Sequence, residues 1–303
     1  MSNRIGIFAW IDFAFKKIFG KVGNEICLIS LLNSVLDLPN AVESVEFLNP
    51  FSMKEFKEAR LICVDVKATD TQKRVFVVEV QMVVLSSFAK RAVYYAAKAY
   101  LDQLAVGQGY GKLKATYAVC LLMRPLWPDS RLHHHFRLVE KESGAVLDDA
   151  IEIHTLELSK YDKPASSLSE ASTLEQWCYW IKYSHEHTED ELRALLPGLA
   201  FLRATQELRE IQEVTEERQM YDSREKAVRD LESGLIDARE EGFETGVEKG
   251  IEKGIEKGEI KLIRTLQEIL GEPVSDETEL EIYKIEQLQS LAADLRNRVL
   301  RRS

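Results

Sequence analysis

Residues 61–81 of this 303-residue chain read LICVDVKATDTQKRVFVVEVQ. Between Arg60 and Lys67 every second residue is Ile or Val, which is the period of a β-strand, and the run Val75–Met82 is rich in β-branched residues. The polar segment Thr69–Arg74 between the two runs has the composition of a turn. We therefore predict a β-hairpin, with its first strand beginning near Arg60.

This hairpin brings two acidic residues together. If the turn centres on Gln72, antiparallel pairing places Asp65 opposite Glu79, and Gln81 shares that face. Directly opposed Cβ atoms lie about 4.5–5.5 Å apart, so the carboxylates repel each other unless a cation lies between them. Mg²⁺ suits that position, because it binds one or two carboxylates and keeps other positions for water and phosphate oxygens. Solvated acidic surface is the alternative, although strands this apolar are usually buried on both faces.

Helices and further strands flank the hairpin. Apolar residues at helical spacing predict short helices over Ile11–Phe19 and Ile26–Leu36. The other predicted elements up to Tyr161 are one helix and three strands: residues 86–104, Thr116–Met123, Phe136–Glu140 and Ile151–Leu158. Strands interspersed with helices predict an α/β core with a mixed central sheet flanked by helices, and the chain after Tyr161 is predicted to be helical.

Composition and charge are compatible with a nucleic-acid partner. Hydrophobic residues make up 45% of the chain, enough for a sizeable core, and the formal net charge is −10. Lys and Arg number 22 against 21 Asp and Glu over residues 1–183, but 18 against 29 over residues 184–303. The near-neutral part is able to present a basic face to phosphates, whereas the acidic part repels them. No apolar run is long enough for a membrane span or a secretion signal, so we expect a cytoplasmic protein with no membrane partner.

A four-residue unit repeats between residues 242 and 258. Each unit begins with glycine, and the first four carry an apolar second residue: Phe243, Val247, Ile251 and Ile255. Glycine in a helix costs about 1 kcal/mol against alanine, so such a helix needs another source of stability. Because four residues advance roughly 400° around a helix, the glycines and apolar residues form drifting stripes along which two chains are able to pack. We predict self-association through this tail, and the alternative is a flexible linker.

Three consecutive histidines, His133–His135, are candidate metal ligands. Consecutive residues in an extended chain point alternately to opposite faces, so all three cannot bind one ion. We therefore predict a solvated strand end at this position.

Several motifs together resemble a known family. They are Asp12-Phe-Ala-Phe-Lys16-Lys-Ile-Phe-Gly20, Asp65, Glu79-Val-Gln81 and Phe88-Ala-Lys-Arg91-Ala-Val-Tyr94-Tyr95. They are similar to the recombination-promoting nuclease and transposase family of the PD-(D/E)xK nuclease superfamily, over about residues 7–161 and more loosely into the tail. The resemblance implies a restriction-endonuclease-like fold, cleavage of double-stranded DNA and dependence on Mg²⁺.

The same resemblance implies roles for four residues. Asp65 matches the first metal-binding aspartate, Glu79 matches the second acidic position, and Asp12 matches an auxiliary ligand or water-orienting group, although an ordinary surface aspartate is the alternative for Asp12. Gln81 stands where the family has a lysine. Glutamine hydrogen-bonds the attacking water but brings no charge, so activation falls chiefly to the metal.

Lys16, Arg91 and Tyr94 are the predicted DNA contacts. Lys16 lies one helical turn after Asp12, so it either contacts phosphate or forms an i,i+4 ion pair. Arginine binds phosphate, and tyrosine stacks on bases or forms hydrogen bonds. One of two adjacent tyrosines on a helix commonly belongs to the core, so Arg91 is the stronger candidate.

Together these features predict three regions: a nuclease-like domain over residues 1–165, a helical region over 166–239 that packs on it or extends from it, and an acidic helical tail over 240–303. The predicted function is that of a Mg²⁺-dependent DNA endonuclease that acts as a homodimer or higher oligomer and promotes recombination or transposition-like rearrangement. One alternative is a nuclease fold retained only for DNA binding or protein interaction, which the missing lysine favours. Another is an assembly factor built around the tail.

Overall fold

The computed structural model describes residues 4–53 and 65–301. The chain divides into two compact units, 1–229 and 230–303. Its helices are α1 Asp12–Gly20, α2 Glu25–Val35, α3 Phe88–Leu101, α4 Thr173–Tyr183, α5 Glu189–Leu195, α6 Leu199–Glu213, α7 Thr215–Leu270, α8 Glu277–Leu280 and α9 Ile285–Leu300. Its strands are β1 Glu46–Phe47, β2 Val66–Thr69, β3 Val75–Gln81, β4 Thr116–Leu122, β5 His133–Phe136 and β6 Ile151–Glu157.

The strands form one mixed sheet in the order β1-β2-β3-β4-β6-β5. The pairs β1/β2, β2/β3 and β5/β6 are antiparallel, whereas β3/β4 and β4/β6 are parallel. Helix α3 connects β3 to its parallel neighbour β4, since parallel strands need a long crossover. The predicted α/β fold with a mixed sheet is confirmed, and it is consistent with a nuclease of the restriction-endonuclease-like class.

Helix α3 covers one face of the sheet through small side chains. Its buried residues are Phe88, Ala92, Ala96 and Ala99. The alanines let the helix lie close to the sheet, where it packs against Val75, Val77, Ala118, Cys120 and Leu122. The face of β3 that bears Glu79 therefore lies under α3.

The opposite face supports the main core, to which α1, α2, α4 and α6 contribute. Trp177 and Trp180 are fully buried here, so both residues serve packing. Residues 166–229 thus belong to the same compact unit as the sheet.

Helix α1 is held in this core by a buried cation. The side chain of Lys17 is 1% exposed, and its Nζ lies 3.3 Å from Glu207 Oε2 and 2.5 Å from Glu217 Oε2. Glu207 is fully buried and also pairs with Lys21 and Arg203. Removing one partner from such a network leaves an unpaired buried charge, which commonly costs about 3–5 kcal/mol.

Most predicted elements lie where they were expected. The hairpin is confirmed by β2 and β3, whose pairs run from Val66 opposite Val78 to Thr69 opposite Val75. The amino-terminal part of the predicted first strand, up to residue 64, lies outside the described residues. Strand β1 was not predicted, because two residues are too few to show a periodicity.

The predicted strand at Phe136–Glu140 is displaced. Strand β5 covers His133–Phe136, and the chain beyond it folds back on itself, with Val139 bridged to Val146. The apolar residues after Phe136 therefore belong to a local turn and not to the sheet.

The prediction of a solvated strand end at His133–His135 holds only for His135, which is exposed. These residues pair with β6, with His133 opposite Leu156 and His135 opposite His154. His134 is buried, and its Nε2 lies 3.0 Å from Asp129 Oδ2.

The second unit has its own small core. Residues of α7, α8 and α9 form it: Ile260, Ile263, Leu266, Leu270, Leu280, Leu288, Ala292 and Leu295. Gly271 ends α7 with a φ of +68°, the left-handed conformation that favours glycine after a helix. The predicted helical carboxy-terminal region is confirmed.

The glycine-periodic segment is part of helix α7. A Cβ atom placed on any glycine from Gly242 to Gly258 meets nothing within 4 Å among the described residues. Phe243 is 72% exposed and Ile251 is 59% exposed. Within the described chain, this stripe is an apolar helix surface facing solvent.

No helix in the described ranges is by itself long and apolar enough to cross a membrane. Helices α1 and α2 have the length and apolar composition of a membrane span only when they are taken together, and the chain bends by 98° at the break between them.

The hairpin turn contains a strained residue that can be tested. Lys73 has a φ of +62°, which costs a residue with a Cβ atom about 1–2 kcal/mol, whereas glycine accepts it freely. We expect Lys73→Gly to raise the free energy of unfolding by about 0.5–1 kcal/mol. Urea unfolding followed by tryptophan fluorescence measures this, because all four tryptophans lie in the first unit.

The neighbouring substitution Gln72→Gly is the matched control. Gln72 lacks a positive φ, so glycine there adds only chain entropy and lowers stability. Destabilisation by both substitutions would contradict strain at Lys73.

Candidate active site

The hairpin brings two acidic residues close together. Asp65 immediately precedes β2, whose first residue Val66 pairs with Val78, and the charge of the nearby Glu79 acts on the Asp65 carboxyl. Asp65 Oδ2 accepts a hydrogen bond of 2.8 Å from the backbone N–H of Val80. Glu79 occupies the face that lies under α3, and Asp65 approaches β3 through this bond to its backbone.

Glu79 is buried in a polar contact at the centre of this face. Its Oε1 accepts a hydrogen bond of 2.5 Å from Gln81 Nε2 and lies 3.2 Å from Arg91 Nη2. The side chain of Glu79 is only 8% exposed, and Cys120 of the adjacent strand β4 is its partner in the sheet. One carboxylate oxygen of Glu79 thus contacts both the Gln81 side-chain amide and the Arg91 guanidinium.

Burial disfavours the negative charge on both acidic residues. Loss of solvent raises the pKa of Asp65 well above its usual range, and the Glu79 and Asp12 charges raise it further, against the opposing effects of the Val80 N–H and Lys16. Loss of solvent also raises the pKa of Glu79, and Arg91 opposes that shift. The ionised carboxylates of this site are therefore poorly solvated. Carboxylates with pKa values shifted in this way are common at functional sites.

Helix α1 brings Asp12 and Lys16 to the same site. Asp12 occupies the first turn, where its Oδ1 accepts a hydrogen bond of 2.8 Å from the Phe13 N–H. Burial raises the pKa of Asp12, and Arg224 lowers it from 3.9 Å away. Lys16 forms no ion pair within 4 Å of Asp12, so the predicted alternative of an i,i+4 pair is not adopted. Both residues influence the Asp65 charge, which makes them its electrostatic neighbours.

Helix α3 contributes Arg91 and Tyr94 in different ways. Arg91 lies against Glu79, with its guanidinium carbon 5.7 Å from the centre of the Phe88 ring. Its Nε is buried without a hydrogen-bond partner in the described ranges. Tyr94 is 61% exposed and contacts the ring of Tyr95, at a centroid distance of 5.7 Å. The structure thus leaves Tyr94 on the outer surface of α3. It groups the other six predicted residues: Asp12, Lys16, Asp65, Glu79, Gln81 and Arg91.

Two contacts were missed by reasoning from the sequence. The Val80 N–H that binds Asp65 is a backbone group, which carries no residue-specific signal. Arg224 approaches Asp12 from helix α7, more than 200 residues away in the chain. Neither contact has a spacing that a motif would reveal.

The donor set suits a hard divalent cation. Asp65 Oδ1 and Glu79 Oε2 accept no hydrogen bond within the described part of the chain, so each carboxylate has one oxygen to offer. Mg²⁺ prefers such oxygens and commonly takes one or two from the protein. Asp12 does not complete a group of three acidic ligands whose oxygens all lie within 4.8 Å of one another.

Comparison with known proteins gives one match. The sequence model of a family described as PD-(D/E)XK nuclease family transposase matches residues 9–238. No curated protein and no solved structure matches this chain. The matched region includes the whole sheet and all the candidate site residues.

The raised pKa of Asp65 predicts a dependence of stability on pH. Below about pH 3 the carboxyl is largely protonated in both folded and unfolded chains and costs almost nothing. As the pH rises towards the folded pKa, the unfolded chain ionises first, so the wild type loses stability. We expect Asp65→Asn, which keeps an acceptor for the Val80 N–H, to unfold at higher urea concentration than the wild type at pH 7 and at nearly the same concentration at pH 3.

Asp148→Asn is the control, because Asp148 is an exposed loop carboxylate. Unfolding is measured by tryptophan fluorescence in the presence of a chelator. A wild type at least as stable as Asp65→Asn at pH 7 would contradict the desolvation of Asp65.

Proposed function

The chain belongs to the PD-(D/E)XK nuclease family transposases, and from this premise we propose that it is a Mg²⁺-dependent endonuclease that hydrolyses phosphodiester bonds in double-stranded DNA. A nuclease or transposase-like function follows from family membership. The metal, the internal cleavage of DNA and the roles of individual residues are the proposed parts.

One observation carries the proposal. Asp65 and Glu79 lie close enough for their charges to interact, while burial disfavours both charges. Such a pair weakens the fold, and a cation bound between the carboxylates would remove the repulsion. We assign the metal to Asp65 Oδ1 and Glu79 Oε2.

A bound Mg²⁺ would neutralise charge on the phosphate and lower the pKa of a water molecule. Gln81 orients the attacking water by hydrogen bonding, and Asp12 accepts a proton or hydrogen bond from it at the edge of the site. Lys16 has no carboxylate within 4 Å in the described chain, so its charge remains available to phosphate. Arg91 lies 3.2 Å from Glu79, and with a cation bound to Glu79 its guanidinium would be available to a DNA phosphate.

Tyr94 extends the proposed DNA surface along α3. Its exposed ring lies one helical turn beyond Arg91, where it is able to hydrogen-bond a phosphate or stack on an exposed base. The acidic tail repels phosphates and so limits non-specific binding to other parts of the chain.

Cleavage of supercoiled plasmid tests the proposed reaction. We expect the wild type to nick and linearise the plasmid with Mg²⁺ and to leave it intact with chelator. Asp65→Asn and Glu79→Gln are each expected to lower the cleavage rate by more than about 100-fold, because each removes a metal ligand. Agarose gel electrophoresis over time gives the rates.

Asp148→Asn again serves as the control and should cleave at the wild-type rate. Because Asp65→Asn is expected to be more stable than the wild type, unfolding would not account for its loss of activity. Equal cleavage by the wild type and both site variants would contradict the proposed metal site.

A second function has an observation in its favour. Both Gln81 and Arg91 bind the same oxygen of Glu79, so the site already compensates part of its charge without a metal. This arrangement, with glutamine in place of lysine, fits a nuclease fold retained for DNA binding or protein interaction. DNA binding without metal-dependent cleavage, unchanged in Asp65→Asn, would favour this interaction module.

We also propose that the glycine-periodic part of α7 joins two copies of the chain. Its glycines leave room for close approach, and its apolar stripe has no cover within the described chain. Two joined nucleases would cut both strands and so start recombination or transposition-like rearrangement. The cytoplasmic location remains a prediction from the sequence.

Substitution within the full-length chain tests the tail. Val247→Gln combined with Ile251→Gln makes the stripe polar, and we expect the mass from light scattering to fall from that of a dimer or higher oligomer to that of one chain. Glu248→Gln with Glu252→Gln, beside the stripe, should leave the mass unchanged. A monomeric wild type, or an oligomer that persists in the variant with Val247→Gln and Ile251→Gln, would contradict self-association through this part of α7.

A further inference from the structure

Three histidines and a glutamate meet at the β5 edge of the sheet. His135 lies opposite His154 in the β5/β6 pair, and their rings stack with centroids 4.1 Å apart. His133 lies two residues before His135 on β5, and Glu152 two residues before His154 on β6. All four side chains therefore emerge from one face of the sheet.

Three of these side chains bring ligand atoms together. The Nε2 of His135 lies 2.6 Å from Glu152 Oε2, and the Nε2 of His154 lies 3.6 Å from the same oxygen. The ligand atoms of these three residues all lie within 4.8 Å of one another, and in the described ranges they form the one such group of three. Small shifts would place all three around a single ion.

One of these atoms is buried without a partner. The side chain of His154 is 3% exposed, and its Nε2 has no hydrogen bond in the described part of the chain. A buried polar atom without a partner costs about 1–3 kcal/mol, so its position calls for an explanation. The atom points towards the carboxylate of Glu152, the place where an ion would lie.

We infer that His135, Glu152 and His154 form a binding site for a divalent transition-metal ion of the Zn²⁺ class. Two imidazoles and one carboxylate are a known ligand set for such ions, and a water completes the coordination. Ions of this class favour imidazole nitrogen, whereas Mg²⁺ favours oxygen.

His133 supports the site as a positioning residue. Its Nε2 lies 2.9 Å from His154 Nδ1, so the Nδ1–H of His154 is able to donate to His133 and leave the Nε2 lone pair free for the metal.

Glu152 is oriented from its other oxygen. Its Oε1 lies 3.5 Å from Arg137 Nε, which leaves Oε2 directed at the histidines. Arg137 also pairs with Asp149, so the two carboxylates and one guanidinium together retain a negative charge beside the ion.

This metal site is separate from the nuclease site. Glu79 is in register with Cys120 and then with Thr155, the neighbour of His154 on β6. Because successive residues alternate between faces, His154 and Glu79 lie on opposite faces of the sheet, two strands apart. A bound ion would join β5 to β6 and stabilise this edge.

Metal titration of the full-length chain tests the inference. After treatment with chelator, the wild type is titrated with Co²⁺, whose visible absorption strengthens in four-coordinate sites, and the bound Co²⁺ is then displaced with Zn²⁺. We expect one high-affinity ion per chain, displaced by Zn²⁺ but not by millimolar Mg²⁺. His135→Gln, which alters an exposed edge residue, should weaken Zn²⁺ binding by more than about 100-fold, and His133→Gln by about 10–100-fold.

His134→Gln is the matched control, because His134 lies between these residues but faces the other side of the sheet. It should keep wild-type affinity, and circular dichroism verifies that each variant is folded without metal. Zn²⁺ should raise the unfolding midpoint of the wild type and of His134→Gln, and leave that of His135→Gln unchanged. No saturable binding by the wild type, equal affinity of His135→Gln and the wild type, or equal losses in His134→Gln and His135→Gln would each overturn the assignment.

Discussion

The first unit depends on the register of one hairpin. A shift of one residue would turn Val66 away from the main core and change the position of Asp65 relative to Glu79. The observed register keeps the two carboxylates close to each other, where water is scarce and a positive charge is needed. Alternation along the strands sends Val66 and Val78 into the core, so the packing that stabilises the fold also selects the register of the acidic pair.

Two surrounding helices place charged side chains beside these carboxylates. Helix α3 lies close to the sheet because its inner face is mostly alanine, and it brings Arg91 to Glu79. Helix α1 is anchored on its other side by buried Lys17, and it turns Asp12 and Lys16 towards Asp65. The first unit therefore holds together a group of carboxylates whose ionised forms are disfavoured by burial.

Sequence reasoning succeeded where the determining interactions were local. The hairpin, the short amino-terminal helices and the helix between β3 and β4 follow from periodicity and turn composition, and the family motifs identified the acidic residues. It failed at β5, where pairing with β6 selects His133–Phe136 over a more apolar segment. Alternation correctly showed that three consecutive histidines cannot share an ion, but it gave no sign that two of them meet His154.

By itself, the sequence determined the hairpin register, with Val66 opposite Val78 and Asp65 near Glu79, because a strand has a period of two and a short turn leaves little freedom of register. It also determined that the glycine-periodic tail has a repeating apolar stripe. Only the tertiary structure decided that Arg91 neutralises Glu79, that Arg224 approaches Asp12 and that His154 lies between His133 and His135. Those contacts join residues from separate elements, and their distances depend on how whole helices and strands pack.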